Sequence, residues 1–102
     1  MSTKNYSQKE KSMHKISYSQ TAKNDLLTIW SFIADDNPIY ADKVVDTIVA
    51  FIANLTYFPS LCTPVSSVLS LRSIVEPTFR YKITYTLGEN TILIRTVSKY
   101  RE

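Results

Sequence analysis

The stretch from Phe79 to Lys99, FRYKITYTLGENTILIRTVSK, constrains the fold most, because two alternating runs flank a Gly-Glu-Asn turn. Period-two alternation on both sides of a turn is the signature of a β-hairpin. In the first run Phe79, Tyr81, Ile83 and Tyr85 share one parity, and Arg80, Lys82 and Thr84 share the other. Successive strand residues point to opposite faces, so this strand has an aromatic face and a cationic face. The second run offers Ile92, Ile94 and Thr96 on one side, and Leu93, Arg95, Val97 and Lys99 on the other. With two central turn residues, Gly88-Glu89 or Glu89-Asn90, paired residue numbers add to an odd total. Arg80, Lys82, Arg95 and Lys99 then collect on one face, with Phe79, Tyr81, Ile83, Tyr85, Ile92 and Ile94 on the other. A three-residue loop or a bulge would scramble this. The rest of the chain must cover the aromatic face.

At 102 residues the sequence has the length of one domain with a modest core. No apolar run approaches the ~20 residues that span a bilayer, so no membrane partner is expected. The start, MSTKNYSQKEKSMHK, lacks the apolar segment of a secretory signal. Cys62 is the only cysteine, which excludes an internal disulfide and fits a reducing cytoplasm. One cysteine and one histidine also argue against a zinc site, and no cofactor is expected. Net charge is +3, but residues 1–15, 16–58 and 59–102 carry +3, −3 and +3 in turn. An acidic middle and a basic end direct any polyanion or acidic partner to the sheet.

Residues 1–13 are polar and aperiodic and read as a disordered tail, leaving 14–102 as a single domain. His14 to Tyr18 alternates as a short strand. Ser19 is placed to cap the next helix, whose apolar stripe reads Leu26, Trp30, Ile33 and Ala34. Asn37-Pro38 ends that helix and starts another, as N-cap and first helical residue. Ala41, Val44, Val45, Ile48, Ile52 and Leu55 form the second stripe, closing near Phe58-Pro59. A short connection between paired stripes gives an antiparallel helical hairpin. Pro59 to Ser70 reads as a loop from its prolines and serines, Leu71 to Glu76 as a strand, and Pro77-Thr78 as its break. The order is β-α-α-β-β-β. The fold class is α+β, with the helical hairpin packed on one face of a small, mostly antiparallel sheet.

Gly88 is the only glycine, which excludes a glycine-rich phosphate loop. His14 lies at the edge of the tail and reads as a solvated strand end. Asp35 and Asp36 are adjacent at a helix end and do not face one another. The constellation left is basic: Arg80, Lys82, Arg95, Lys99 and Arg101 on a rigid hairpin, with Tyr100 between the last two. Guanidinium and ammonium groups supply charge-assisted donors, and a tyrosine can stack or transfer a proton. The bland alternative is a solvated outer sheet face, although such a face more often mixes charge signs.

The order of elements and several motifs resemble the RelE/ParE superfamily of type II toxin–antitoxin toxins, from about Lys15 to Glu102. The helices carry Ser19, Ala22, Asp25-Leu26, Ile29 and Ile33-Ala34, then Asn37-Pro38, Ala41, Ile48, Ile52, Leu55 and Phe58-Pro59. Leu71-Arg72-Ser73 stands where the ParE branch often has LRS. Arg80-Tyr81-Lys82-Ile83-Thr84-Tyr85 looks like its R-Y-x-I-x-Y strand, and Ile94-Arg95 through Arg101-Glu102 is similar to its closing region.

The resemblance implies a small cytoplasmic toxin neutralised by a cognate antitoxin. ParE-like members poison DNA gyrase, whereas RelE-like members cleave mRNA in the ribosome. LRS and R-Y-x-I-x-Y favour the ParE branch. The expected surface for target or antitoxin is Arg72, Arg80, Lys82, Arg95, Lys99, Tyr100 and Arg101. On the RelE-like alternative the catalytic set is Lys82, Arg95, Tyr100 and Arg101. Lys82 occupies the place of a RelE-like arginine and forfeits its bidentate contact. Tyr100 would have to serve as the C-terminal tyrosine, and Ser98 replaces a histidine common in the closing motif. A third reading is a degenerate, non-toxic member that only binds an antitoxin. Charge without a convincing acid–base pair favours binding over cleavage.

Overall fold

The computed structural model describes residues 15–57, 63–66, 71–88 and 90–101. The expected tail, His14, Cys62, Glu89 and the close at Phe58-Pro59 lie outside the described residues. Seven elements follow in chain order: β1 (Lys15–Tyr18), α1 (Gln20–Ala34), α2 (Pro38–Ala53), β2 (Thr63–Ser66), β3 (Leu71–Glu76), β4 (Tyr81–Leu87) and β5 (Thr91–Lys99). A single 3₁₀ turn, Asn54–Thr56, continues α2. The strands form one sheet in the order β1-β5-β4-β3-β2, with β1 parallel to β5 and the other neighbours antiparallel. The α+β architecture is the expected one.

Both helices start where their caps predict. Ser19 is extended (φ −68°, ψ 163°) and its hydroxyl accepts the Ala22 N–H at 3.0 Å. Asn37 accepts the Tyr40 N–H at 3.1 Å, with Pro38 in the first turn. Each cap satisfies a donor that the helix itself leaves open.

The core lies between the helical hairpin and the aromatic face of β4 and β5. Val44, Ile48, Ile52 and Leu55 of the second stripe meet Ile83, Tyr85, Ile92, Ile94 and Val97. Phe79 and Tyr81 pack against the same cluster, so the aromatic face is the covered one. Fully burying each isoleucine contributes on the order of 1.5–3 kcal/mol.

Three expectations are corrected. Trp30 is not part of the α1 stripe; Ala22 is buried there, and Leu26, Ile29 and Ile33 pack on the core. Trp30 instead sits on the flank toward α2, where its indole Nε1 donates to Asp42 Oδ1 at 2.7 Å. An aliphatic core has no acceptor for an indole N–H, and Asp42 supplies one. Second, the stretch read as a loop contains β2, which pairs with β3 through Thr63↔Ser73 and Pro64↔Arg72. Strand β2 ends the sheet order, and an edge strand tolerates a proline because one side of it needs no ladder donor.

The third correction concerns hairpin register. Near the turn, Leu87↔Ile92, Thr86↔Leu93 and Tyr85↔Ile94 pair as a Glu89-Asn90 turn requires. The next pairs are Thr84↔Thr96, Ile83↔Val97, Lys82↔Ser98 and Tyr81↔Lys99. Arg95 is therefore an extra residue, a β-bulge, and every β5 side chain beyond it changes parity. Its cause lies outside the hairpin. β1 ends at Tyr18↔Ile94, and beyond that point α1 takes over the exposed polar groups of β5. Ser19 donates its N–H to the Ile94 carbonyl and its hydroxyl to the Arg95 carbonyl, both at 2.9 Å. Asp25 Oδ2 accepts the Val97 N–H at 2.9 Å. The start of α1 thus holds the bulge in place.

Candidate functional site

The bulge redistributes the basic residues. Lys82, opposite Val75 and Ser98, stays on the outer face. Arg95 and Thr96 both stand opposite Thr84 there, and Arg95 is exposed. Lys99 does not join them: it pairs with Tyr81 and belongs to the aromatic face. Its Nζ lies 4.9 Å from the Tyr81 ring centroid and donates to the Phe79 carbonyl at 2.7 Å. Tyr100 replaces it outside, lying two residues past Ser98. Arg72 pairs with Tyr85 and so faces the helices, away from Lys82. Arg101 is exposed just beyond the strand. Of the expected surface, Arg80, Lys82, Arg95 and Tyr100 are brought together outside, while Arg72 and Lys99 are separated from them.

Arg80 is held by a tight turn. Pro77 to Arg80 reverse the chain between β3 and β4, and Arg80 has φ 63°, a left-handed conformation that β-carbons disfavour. Two groups pin it. Glu76, 1% exposed, accepts the Thr78 and Phe79 N–H groups at 2.7 and 2.8 Å, one on each carboxylate oxygen. The Arg80 carbonyl accepts the Tyr100 N–H at 2.8 Å. The guanidinium then lies 5.1 Å from the Tyr100 ring centroid, within cation–π range. Left-handed strain in an arginine at the mouth of a basic surface is the kind of feature that functional sites retain.

On the other side of the same turn lies an aromatic cluster. Tyr40, in the first turn of α2, meets Phe79 edge-to-face at 5.8 Å and 87°. Burial pushes the Tyr81 hydroxyl above its ordinary pKa of 10.0, and the neighbouring Tyr40 adds to the shift. Glu76, Tyr40 and Asp25 were not among the expected site residues, although Glu76 holds the turn that leads to Arg80, Tyr40 packs on Phe79 in that turn, and Asp25 ties down β5 beyond the bulge. Asp25 had a motif signal in the sequence; Glu76 and Tyr40 had none, because their partners lie across a turn or on another element.

Chemically the surface offers cations on a rigid hairpin and the ring and hydroxyl of Tyr100. Among the described residues no three His, Cys, Asp or Glu side chains gather as a metal ion would require. No helix among them is long and apolar enough to cross a membrane.

Residues 16–102 match the family described as the ParE toxin of the type II toxin–antitoxin system, parDE. Among solved structures, the fold is similar to the chromosomal ParDE toxin–antitoxin system of P. aeruginosa. That similarity has 19% identity and a TM-score of 0.74 over 87% of this chain and 98% of that one. It is also similar to the YoeB–YefM complex of Staphylococcus aureus, at 18% identity and TM-score 0.57 over 86% and 98%. The YoeB dimer from that organism aligns with 18% identity and TM-score 0.56 over 88% and 99%. No curated protein sequence matches the chain.

Proposed function

The chain belongs to the ParE toxin family of type II toxin–antitoxin systems, and on that premise we propose that it arrests growth by binding DNA gyrase. In this reading it acts in the cytoplasm and a cognate antitoxin holds it inactive. The contact surface is Arg80, Lys82, Arg95, Tyr100 and Arg101, with Lys99 at its rim and Arg72 supporting β4 from the helix side. The observation that supports binding over cleavage is the make-up of the outer face: Lys82 and Arg95 supply cations and Tyr100 lies against the Arg80 guanidinium, and the outward residues of β3, β4 and β5 include no carboxylate or imidazole. Cleaving RNA requires a base and an acid that reach the same phosphate. Binding needs only cations on a rigid element, which the hairpin provides.

Induction of the chain alone should stop growth, and the purified protein should inhibit gyrase supercoiling. Lys82→Glu with Arg95→Glu should abolish both. Growth arrest with normal supercoiling would overturn the reading.

One observation favours a second reading: Lys82, Arg95 and Tyr100 do share the outer face. They could place cations on an mRNA phosphate with Tyr100 in proton transfer, as an endonuclease acting in the ribosome. Codon-specific cleavage of ribosome-bound mRNA, lost in Lys82→Ala, would establish it. Harmless overexpression would count against both and favour a non-toxic antitoxin-binding member.

A further inference from the structure

The two sides of the molecule differ in kind. Among the described residues, every exposed large hydrophobic side chain, from Leu27 on α1 to Tyr57, stands on the helical hairpin or the turn that continues it. The outer sheet face has none, and its one ring, Tyr100, is half-buried against Arg80. Protein interfaces are centred on aromatic and aliphatic anchors, so this face lacks what a protein partner would anchor on.

What the face does carry is charge and hydroxyls. Lys15, paired with Thr91 and so opposite in parity to buried Ile92, joins Arg80, Lys82 and Arg95 there. These four cations exceed the net charge of the whole chain, +3, and no outward residue of β1, β3, β4 or β5 is acidic. Ser73, Thr84 and Thr96 form a row of hydroxyls across three strands level with Arg95, and Ser98 stands opposite Lys82. Lys15 lies level with Thr91, four residues from Arg95, and Lys82 is two residues from Thr84, which faces Arg95. Lys15, Arg95 and Lys82 therefore run about 20 Å along the strands. That length is the rise of roughly six base pairs, each with a phosphate on either strand.

We propose that the outer sheet face binds the phosphate backbone of duplex DNA, with Lys15, Lys82 and Arg95 on phosphates and the Thr84, Thr96 and Ser98 hydroxyls donating beside them. Cations and hydroxyls of this kind make the backbone contacts of DNA-binding proteins, and such contacts carry no sequence information. A single strand would be held by stacking its bases on several rings, and the face has one. That this duplex is the one gyrase holds rests on the function proposed above; the contact itself is measured without the enzyme.

The test is fluorescence anisotropy of labelled duplex DNA of mixed sequence, titrated with the purified full chain between about 50 and 200 mM salt. Binding should be independent of sequence, with a Kd on the order of 1–100 µM near physiological salt. The logarithm of the affinity should fall with that of the salt concentration at a slope of about −3, one phosphate for each of the three cations. Lys82→Gln and Arg95→Gln should each raise the Kd roughly five- to tenfold and reduce the slope by about 1. Lys43→Gln, at an exposed position on α2, removes the same charge from the helical side and should change neither. No binding at low salt, an equal loss in Lys43→Gln, or tighter binding to single strands or to duplex RNA would overturn the proposal. A supercoiling assay separates this failure from that of the gyrase reading. Inhibition by a chain that binds no DNA strikes the DNA contact alone, whereas DNA binding with normal supercoiling strikes the gyrase target and leaves the contact standing.

Discussion

The Asp25 carboxylate accepts the Val97 backbone N–H at 2.9 Å, tying α1 to the half of β5 that lies beyond the bulge. With the two Ser19 bonds, it occupies the edge of β5 that β1 is too short to cover. The bond holds the segment whose side-chain parity the bulge has changed.

Asp25→Ala should therefore lower stability by roughly 1.5–3 kcal/mol, the range for hydrogen bonds to a charged group. Asp25→Asn keeps an acceptor oxygen and should lose less. Urea denaturation followed by the fluorescence of Trp30, the single tryptophan, measures both. The midpoint should move with little change in slope. Equal losses in Ala and Asn would refute the acceptor role.

Arg80 allows backbone and side chain to be separated. At φ 63° an arginine carries left-handed strain of roughly 1–2 kcal/mol that glycine does not. Arg80→Ala keeps the strain and loses the stack on Tyr100, so it should be less stable than wild type by about 0.5–1 kcal/mol. Arg80→Gly loses the stack but relieves the backbone, and should be at least as stable as wild type. Both should be equally impaired in supercoiling inhibition. If Gly retained inhibition, the guanidinium would not be a contact group.

What the sequence made legible and what it hid divide along one physical line. Ile83, Tyr85, Ile92 and Ile94 were readable as one buried face because period two is intrinsic to a strand near its turn. Ser19 and Asn37-Pro38 were readable because capping is local. Lys99 was misplaced because the bulge has no signature inside the hairpin; its cause, Ser19 and Asp25, lies more than seventy residues away. Trp30 was misread because an apolar ring at helical spacing looks like core until its N–H finds Asp42. β2 escaped because Pro64 argues against a central strand, and only the sheet order shows it to be an edge.

Glu76 is buried and its two oxygens accept two different N–H groups. Glutamine offers only one acceptor oxygen, so Glu76→Gln should strand one amide and cost about 1–3 kcal/mol. Because Thr78 and Phe79 lead into Arg80, the same variant should weaken inhibition even where it remains folded. Undiminished inhibition at full occupancy of the native state would show that the turn does not position Arg80.

Two half-buried tyrosines should make stability fall at alkaline pH. Burial holds the Tyr18 and Tyr81 hydroxyls above 10.0, with Tyr40 adding to the effect at Tyr81. The folded state thus binds these protons more tightly than the unfolded chain does. Their contribution is fully present below the unfolded value, near pH 10, and is lost as pH rises through the folded-state values. Stability measured by urea midpoint should accordingly hold up to about pH 10 and fall above it. Tyr18→Phe and Tyr81→Phe remove the titrating hydroxyls, so each should flatten that decline relative to wild type. Tyr57 is exposed, which makes Tyr57→Phe the control. A decline equally steep in all three variants would place its origin in other groups.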